Sequence, residues 1–413
     1  MSVIYSIGIY LFQLIISILA FFNPKAKLWI EGRKNWRQKL QKAIPKESKV
    51  IWFHAASLGE FEQARLLIEK IKKEQKDIFL LLTFFSPSGY EIRKDYDKAD
   101  YICYLPADTP QNAKDFVQIA NPQQVFFIKY EFWYNYLSQI KKHNSPLYLV
   151  SGIFRSSQIF FKFYGIWFKK QLTNFDCFFL QDQSSLDLIN SLGYTNAVKT
   201  GDTRFDRVIE IAEQVHEIPK VKDFVGTKKC LIIGSSWPQD EDLLVEYINT
   251  HVEYKYILAP HEIHEVHLKR IESSLKLNAE RYSRINKTSK KKINVMIIDN
   301  IGMLSSIYQY ATVCYVGGAF GTGLHNILEA AVYGKPVIFG PQFSKFQEAN
   351  DLLEEKAVIS VSNFESLFSA LNLLFTDEIA NKKMGKKAKD FIYKSKGAVE
   401  SIYSRIFIKN YSN

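Results

Sequence analysis

Residues 50–73 read VIWFHAASLGEFEQARLLIEKIKK. The run Val50–Phe53 is apolar, with β-branched and aromatic side chains, and reads as a strand. Small residues follow, and then ARLLIEKIKK carries helical periodicity. A strand that ends in a tight small-residue turn and passes straight into a helix is the opening of an α/β unit. Glu60 stands where that helix begins, beside Ser57 and Gly59. Small residues there leave backbone amides at a helix start, and such amides hold anions. A carboxylate in that place also favours the helix dipole without any chemical role.

The same rhythm continues outward. Apolar strand candidates at 78–85, 101–106, 124–130, 146–152, 177–181 and 196–201 alternate with helical stretches. Alternation of this kind predicts a parallel sheet covered on both faces. The stretch 206–228 is more polar and reads as a linker. The pattern then restarts at 228–236, 254–260, 294–300, 312–318, 336–340 and 358–361. At 413 residues the chain is long enough for two such domains, expected at 50–205 and 229–390, with a C-terminal helix over 391–413. The run KTSKKK (287–292) reads as a solvated loop. In doubly wound sheets ligands bind beyond the C-terminal ends of strands, so functional residues are expected just after strands.

Residues 3–22, VIYSIGIYLFQLIISILAFF, carry no charged side chain. About 20 apolar residues suffice to cross a bilayer core. No Lys or Arg precedes the stretch and no small-residue cleavage site follows it, so 1–22 reads as an uncleaved membrane helix, spanning or lying in the interface. A buried core helix is the alternative. The segment 23–49 holds nine cations against Glu31 and Glu47, +7 of the formal +11. Basic residues directly after an apolar segment point to the cytoplasmic side and to anionic lipid, and make nucleic acid the poorer partner. Trp29 and Trp36 lie among them, and Trp favours the headgroup level. The four cysteines are far apart in apolar runs and read as reduced core thiols, with no metal-like spacing.

Three further stretches carry candidate chemistry. Glu131 follows the strand-like QVFFIKY, among Lys129, Trp133 and Asn135. In YVGGAFGTGLHNILEAAVYGKPVIFGP (315–341) a strand ends in Gly317 and Gly318, and a helix is expected to begin near Leu324. Its loop glycines, Gly321 included, permit close backbone approach, and its helix start would offer amides to a phosphate. On that helix His325 and Glu329, four apart, would share a face beside Asn326. The order G-x-x-G-x-G is not the dinucleotide fingerprint, which argues against a nicotinamide cofactor. HEIHEVH (261–267) tempts a metal reading, but its spacings of three do not match the i, i+4 pair of zincins. His264 and His267 are expected on a solvated helix, while His261, directly after a strand end, can face a ligand.

Taken together these stretches resemble the 3-deoxy-D-manno-octulosonic acid (Kdo) transferases of lipopolysaccharide synthesis. The resemblance runs through nearly the whole chain: the apolar segment with its basic follow-up, HAASLGE, YEFW with Asn135, TGDTRFD (200–206), GSSWPQDED (234–242) and GGAFGTGLHNILEAA with GKPVIFGP. It implies a GT-B fold, two Rossmann-like doubly wound domains facing a cleft, with the acceptor in the first and the nucleotide donor in the second. It implies CMP-Kdo as donor, an acylated, phosphorylated glucosamine disaccharide as acceptor, inversion at the sugar, no cofactor or metal, and work at the cytoplasmic face of the inner membrane. Glu60 matches the proposed general base and Glu131 a second functional carboxylate. Asn326 and Glu329 match donor-site residues, with Gly317, Gly318, Gly321, His325, His261 and Ser235 around the CMP group. Ser57, Gly59, Arg155 and Arg204 are candidate contacts for acceptor or phosphate. The chain departs from the pattern at Pro260-His261-Glu262, where relatives carry an arginine; His261 or Arg204 is the candidate replacement. The stretch FFKFYGIWF (160–168) is a candidate cradle for acyl chains or a buried helix face. Other readings are a transferase with another nucleotide-sugar donor, a membrane-tethered binding protein on an inactive scaffold, and an RNA-directed protein using the basic segment.

Overall fold

In the computed structural model, which describes residues 1–285 and 293–408, the chain forms two compact units. The first comprises Met1–Arg207 together with the segment from Lys396 onward; the second runs from Val208 to Ser395. The loop expectation for 287–292 lies outside the described residues.

The first unit holds strands β1 (Lys49–Ala55), β2 (Ile78–Phe84), β3 (Tyr101–Tyr104), β4 (Pro122–Ile128), β5 (Leu147–Gly152), β6 (Cys177–Leu180) and β7 (Ala197–Lys199). They pair in the order β3-β2-β1-β4-β5-β6-β7, every pair parallel. Side chains alternate across a strand, and here they feed two cores. Val50 and Trp52 enter a cluster with Leu81, Phe127 and Leu149 on one face. Ile51, Phe53 and Ala55 enter another with Phe61, Ile68 and Leu82 on the other. A parallel sheet is stable because helices cover both faces, which explains strands with continuous rather than alternating apolar character.

The second unit repeats the plan with β8 (Cys230–Ser236), β9 (Lys255–Pro260), β10 (Ala279–Arg281), β11 (Val295–Ile297), β12 (Val313–Val316), β13 (Val337–Phe339) and β14 (Val358–Ser360). Its order is β10-β11-β9-β8-β12-β13-β14, again all parallel. Strand β10, absent from the sequence reading, is a three-residue edge of mixed polarity, Ala-Glu-Arg. In both units the winding reverses next to the first strand, between β1 and β4 and between β8 and β12. Such a switch point separates two loops and opens a crevice at the strands' C-terminal ends.

Residues 206–228 contain helix rather than an open connector, in Thr203–Glu213 and Pro219–Val225, with Val208 and Val221 buried. The chain's last turns, Ala398–Tyr403, pack on the first unit, where Val399, Ile402 and Ile406 join the core of Phe61 and Ile68. All four cysteines are free thiols.

The N-terminal helix spans Ser2–Leu19, and none of its residues is fully buried, so it is not a core helix. It is long and apolar enough to cross a membrane. The basic segment departs from its expected form. Trp29 and Arg33 are buried, and the guanidinium lies 3.7 Å over the Trp29 ring. Arg33 donates to the carbonyls of Leu105, Trp29 and Phe85 at 2.7–2.9 Å. These two residues are therefore structural and not part of a headgroup collar, and Trp36 packs at a tilt on Phe116. Lys25, Lys27, Lys34, Lys39, Lys42, Lys46 and Lys49 remain exposed. The 160–168 stretch divides: Phe160 is buried, whereas Phe163, Tyr164 and Ile166 are exposed.

Candidate active site

The switch point of the first sheet gathers His54, Glu60 and Glu131. His54, next to last in β1, has no exposure at all. Its Nδ1 lies 2.9 Å from Thr83 Oγ1 and 3.2 Å from the Thr83 carbonyl, and its Nε2 lies 3.1 Å from Glu131 Oε2. The two ring nitrogens thus face Thr83 on one side and the Glu131 carboxylate on the other, which fixes the orientation of the imidazole. Thr83 is itself fixed: it accepts from Trp52 Nε1 at 2.8 Å and donates to the Phe53 carbonyl at 3.2 Å. Glu131 also accepts a hydrogen bond from the Trp133 indole. It is 7% exposed, buried rather than standing on the surface at a helix start; the helix begins three residues later, at Tyr134.

Glu60 lies in the first turn of the helix Leu58–Glu74, for which Ser57 is the N-cap residue. Its carboxylate reaches back to accept from the Ala56 amide at 2.5 Å, and the Ser57 amide also faces it. The amides expected to cradle an anion are thus occupied by Glu60 itself. Burial, and then the neighbouring Glu131, push its carboxyl up from 4.5 to about 7, against the pull of these amides and of Lys129. A carboxylate poised there is a competent general base at neutral pH. The surface at Gly59 is open, with nothing within 4 Å of where a Cβ would stand. Tyr130 marks the rest of the neighbourhood. Burial raises its phenol, and Arg155, Asp182, Arg204 and Glu60 all lie within electrostatic reach of it. Arg204 is held by Asp202, with Nε at 2.8 Å and Nη2 at 2.6 Å from Oδ2.

The second switch point carries the glycine loop. Gly317 follows β12, and a Cβ there would meet the Ser235 carbonyl at 2.5 Å and Ser236 Cα at 2.7 Å. Gly318, with φ of +96°, turns the chain back so that the Gly323 amide donates to its carbonyl at 2.9 Å. Residues 319–326 form this turn, Gly321 at its open tip, and the helix that follows is only Leu328–Ala331. The helix start expected at Leu324 is therefore absent, and so is its phosphate cradle. Two positive-φ glycines tighten the turn, and Asn326, accepting from the Leu328 amide at 3.2 Å, sets the later start. His325 and Glu329 consequently do not share a helix face. Asn326 donates to Glu329 at 3.0 Å, while His325 turns to Trp237, whose indole donates to its Nε2 at 2.9 Å. His261 stacks between them, 4.7 Å from the Trp237 ring and 4.5 Å from His325. Burial, then His261, lower His325 to about 4, so it is neutral with its hydrogen on Nδ1.

Asp240 ties these loops together without any exposure. It accepts from the Trp237 amide at 2.9 Å, the Gly318 amide at 2.9 Å and the Tyr315 hydroxyl at 2.7 Å. Ser235 lies near the end of β8 with φ of +51°, where the strand's register shifts, and Ser236 donates to the buried Glu241 at 2.9 Å. In HEIHEVH the helix starts only at Glu265, capped by His264. His267 is buried, not solvated, because its Nε2 meets Glu241 at 2.8 Å and its Nδ1 meets the Glu262 carbonyl at 2.8 Å. Ligand atoms of Glu262, His264 and His267 come within 4.8 Å of one another, but both nitrogens of His267 already have protein partners. That donor set does not fit a metal ion.

Sequence reading named Trp133 only as a neighbour of Glu131 and assigned no role to His54, Trp237 or Asp240. His54 and Asp240 offered one signal, a polar side chain within or just after a strand that proves fully buried.

The comparisons agree with this layout. The family domain described as 3-deoxy-D-manno-octulosonic-acid transferase matches residues 34–207. The chain is 28% identical over 342 residues to the 3-deoxy-D-manno-octulosonic acid transferase of Rickettsia felis, covering 79% of this chain and 72% of that protein. It is 26% identical over 350 residues to the enzyme of the same name from Aquifex aeolicus, covering 82% and 90%. Among solved structures, the calicheamicin glycosyltransferase CalG4 shares the fold, with a TM-score of 0.56 at 11% identity over 87% of this chain and 100% of that one. Two parallel-sheet α/β units of the GT-B kind, carrying paired carboxylates at one switch point and a glycine loop at the other, thus go with a Kdo transferase family domain at residues 34–207 and with similarity to Kdo transferases over 79–82% of the chain.

Proposed function

We propose that this chain moves Kdo from CMP-Kdo to a lipid A precursor with inversion at the sugar, using Glu60 as general base. The observation that carries the reading is the carboxyl of Glu60, raised to about 7 beside Glu131 at the first switch point. A sugar hydroxyl is a weak nucleophile and must lose its proton as its oxygen attacks the anomeric carbon. Glu60 takes that proton. As the new C–O bond forms, the bond to the CMP phosphate breaks, with oxocarbenium character between the two. The phosphate leaves as an anion and needs no acid if its charge is met by donors. Glu131, held by His54 and Trp133, keeps Glu60 basic and accepts hydrogen bonds from the acceptor. Arg155 and Arg204 are the cations placed to meet an acceptor phosphate.

CMP-Kdo binds at the second switch point, against the turn Gly317–Gly323, with His261, His325, Ser235 and the Asn326–Glu329 pair around it. No metal ion enters this mechanism.

The acceptor bears acyl chains, so transfer takes place at a bilayer surface, on the cytoplasmic face of the inner membrane. The exposed side of the helix Ser2–Leu19, together with Phe163, Tyr164 and Ile166, supplies apolar contact, and the seven exposed lysines between Lys25 and Lys49 face anionic headgroups.

The test is CMP release from CMP-Kdo with and without a lipid A precursor in detergent. Acceptor-dependent release by the wild type is the expected result. Its absence from a folded protein, or release of a different nucleotide from another sugar donor, would overturn the donor assignment.

A further inference from the structure

The apolar N-terminal helix makes contacts that a simple tether would not need. Tyr5 donates from its hydroxyl to Asp108 Oδ2 at 2.8 Å. Asp108 is 1% exposed, and the same carboxylate accepts from the Asn135 amide at 3.1 Å and the Tyr136 amide at 2.9 Å. Those amides open the helix Tyr134–Lys142, which begins three residues after Glu131. The Tyr5 ring also packs edgewise on Tyr134 at 5.6 Å, and Asn135 reaches Ser6 Oγ at 3.4 Å. Seven residues on, about 10 Å along the helix axis, Phe12 meets Phe85 at 6.3 Å and Trp29 at 5.8 Å. Phe85 stacks on Trp133 at 4.8 Å, and Trp133 donates to Glu131.

Tyr5 and Phe12 lie on one side of the helix and grip the Glu131 segment from both of its supports: the helix start behind it and the indole beside it. Two contacts this far apart lay the helix along the first unit rather than letting it leave the surface.

We propose that the N-terminal apolar helix is a positioning element of the transfer site, holding Glu131 in place through Tyr5 and Phe12, separately from any attachment to a membrane. The inference rests on the reading that Glu131 serves the transfer.

The experiment uses the full chain in detergent with a deacylated, water-soluble acceptor, so that membrane attachment does not enter the rate. Tyr5→Phe removes one hydroxyl and keeps the ring contacts; Phe12→Leu keeps bulk and loses the aromatic contact. Tyr5→Phe should lower kcat by about tenfold, the order expected for a hydrogen bond to a buried carboxyl lost at a site of this kind, and Phe12→Leu by about threefold through the lost ring contacts, with KM for CMP-Kdo unchanged in both. The acid limb of the kcat/KM pH profile should also move to lower pH, because a displaced Glu131 no longer raises Glu60. A variant that merely loosened the fold would lose amplitude without moving the limb. Wild-type kcat and an unmoved limb in both variants, with Glu131→Gln inactive in parallel, would overturn the inference while leaving the role of Glu131 intact. An active Glu131→Gln would instead remove the premise, and the inference with it.

Discussion

The imidazole of His54 meets the carboxylate of Glu131 at 3.1 Å inside the first unit, across 77 residues of sequence. That pair anchors one of the two carboxylates at the switch point, while the other, Glu60, lies where burial and a like charge push its carboxyl up. The division follows from surroundings. Glu131 has a ring nitrogen and an indole N–H as donors, whereas Glu60 has backbone amides and a like charge nearby.

Glu60→Gln is expected to lower kcat by about a hundredfold or more, the range of a lost general base, with little change in KM for CMP-Kdo. Steady-state CMP release measures both. A variant with wild-type kcat would remove Glu60 from the mechanism.

The pH profile provides a second check. The base works deprotonated, so kcat/KM should rise with pH through an apparent value of about 7. Burial is the larger cause of that value and Glu131 the next. Any activity that remains in Glu131→Gln should therefore show its acid limb at lower pH, still above 4.5. A limb that stays in place would mean that burial alone sets it.

Stability should carry the same signature. Glu60 binds a proton more tightly folded, about 7, than unfolded, 4.5, so its contribution falls as pH rises between those values and stays low above them. Glu60→Gln removes this titration. The melting temperature of the variant relative to wild type should thus be higher at pH 8 than at pH 5, by differential scanning calorimetry. An identical difference at both pH values would contradict the raised carboxyl.

His54→Phe keeps a ring in the buried slot and withdraws a partner from both Glu131 and Thr83. Leaving a buried carboxylate short of a donor costs about 1–3 kcal/mol. Urea unfolding at pH 7.5 should show that loss as a lower midpoint with an unchanged slope. An unchanged midpoint would show that the pair contributes nothing to the fold.

Asp240→Ala removes the acceptor of three hydrogen bonds and leaves the Trp237 and Gly318 amides and the Tyr315 hydroxyl without it. The glycine turn should loosen, with KM for CMP-Kdo rising about tenfold and KM for the acceptor unaffected. A rise in the acceptor KM instead would place the donor elsewhere.

Much of this was written locally. The continuous apolar runs of β1, β4, β8 and β12 can be satisfied only between two covered faces, and the short turn after Phe53 forces helix to follow strand. That determined two parallel α/β units and placed Glu60 and Glu131 beyond strand ends. The glycines at 317 and 318 likewise announced a close backbone approach, to the neighbouring β8 loop. Local reading failed where long-range contacts chose the outcome. The helix near Leu324 gave way to a turn closed by Gly318 and Gly323, and His267 went inside because Glu241 awaited it. Trp29 and Arg33 looked like a membrane collar until the carbonyls of Leu105 and Phe85 claimed the guanidinium. Sequence alone determined the elements, because periodicity and turn chemistry act over a few residues. Only the tertiary structure decided strand order, and with it that His54 and Glu131 meet, because sheet pairing is a contest among distant segments settled by burial on both faces at once.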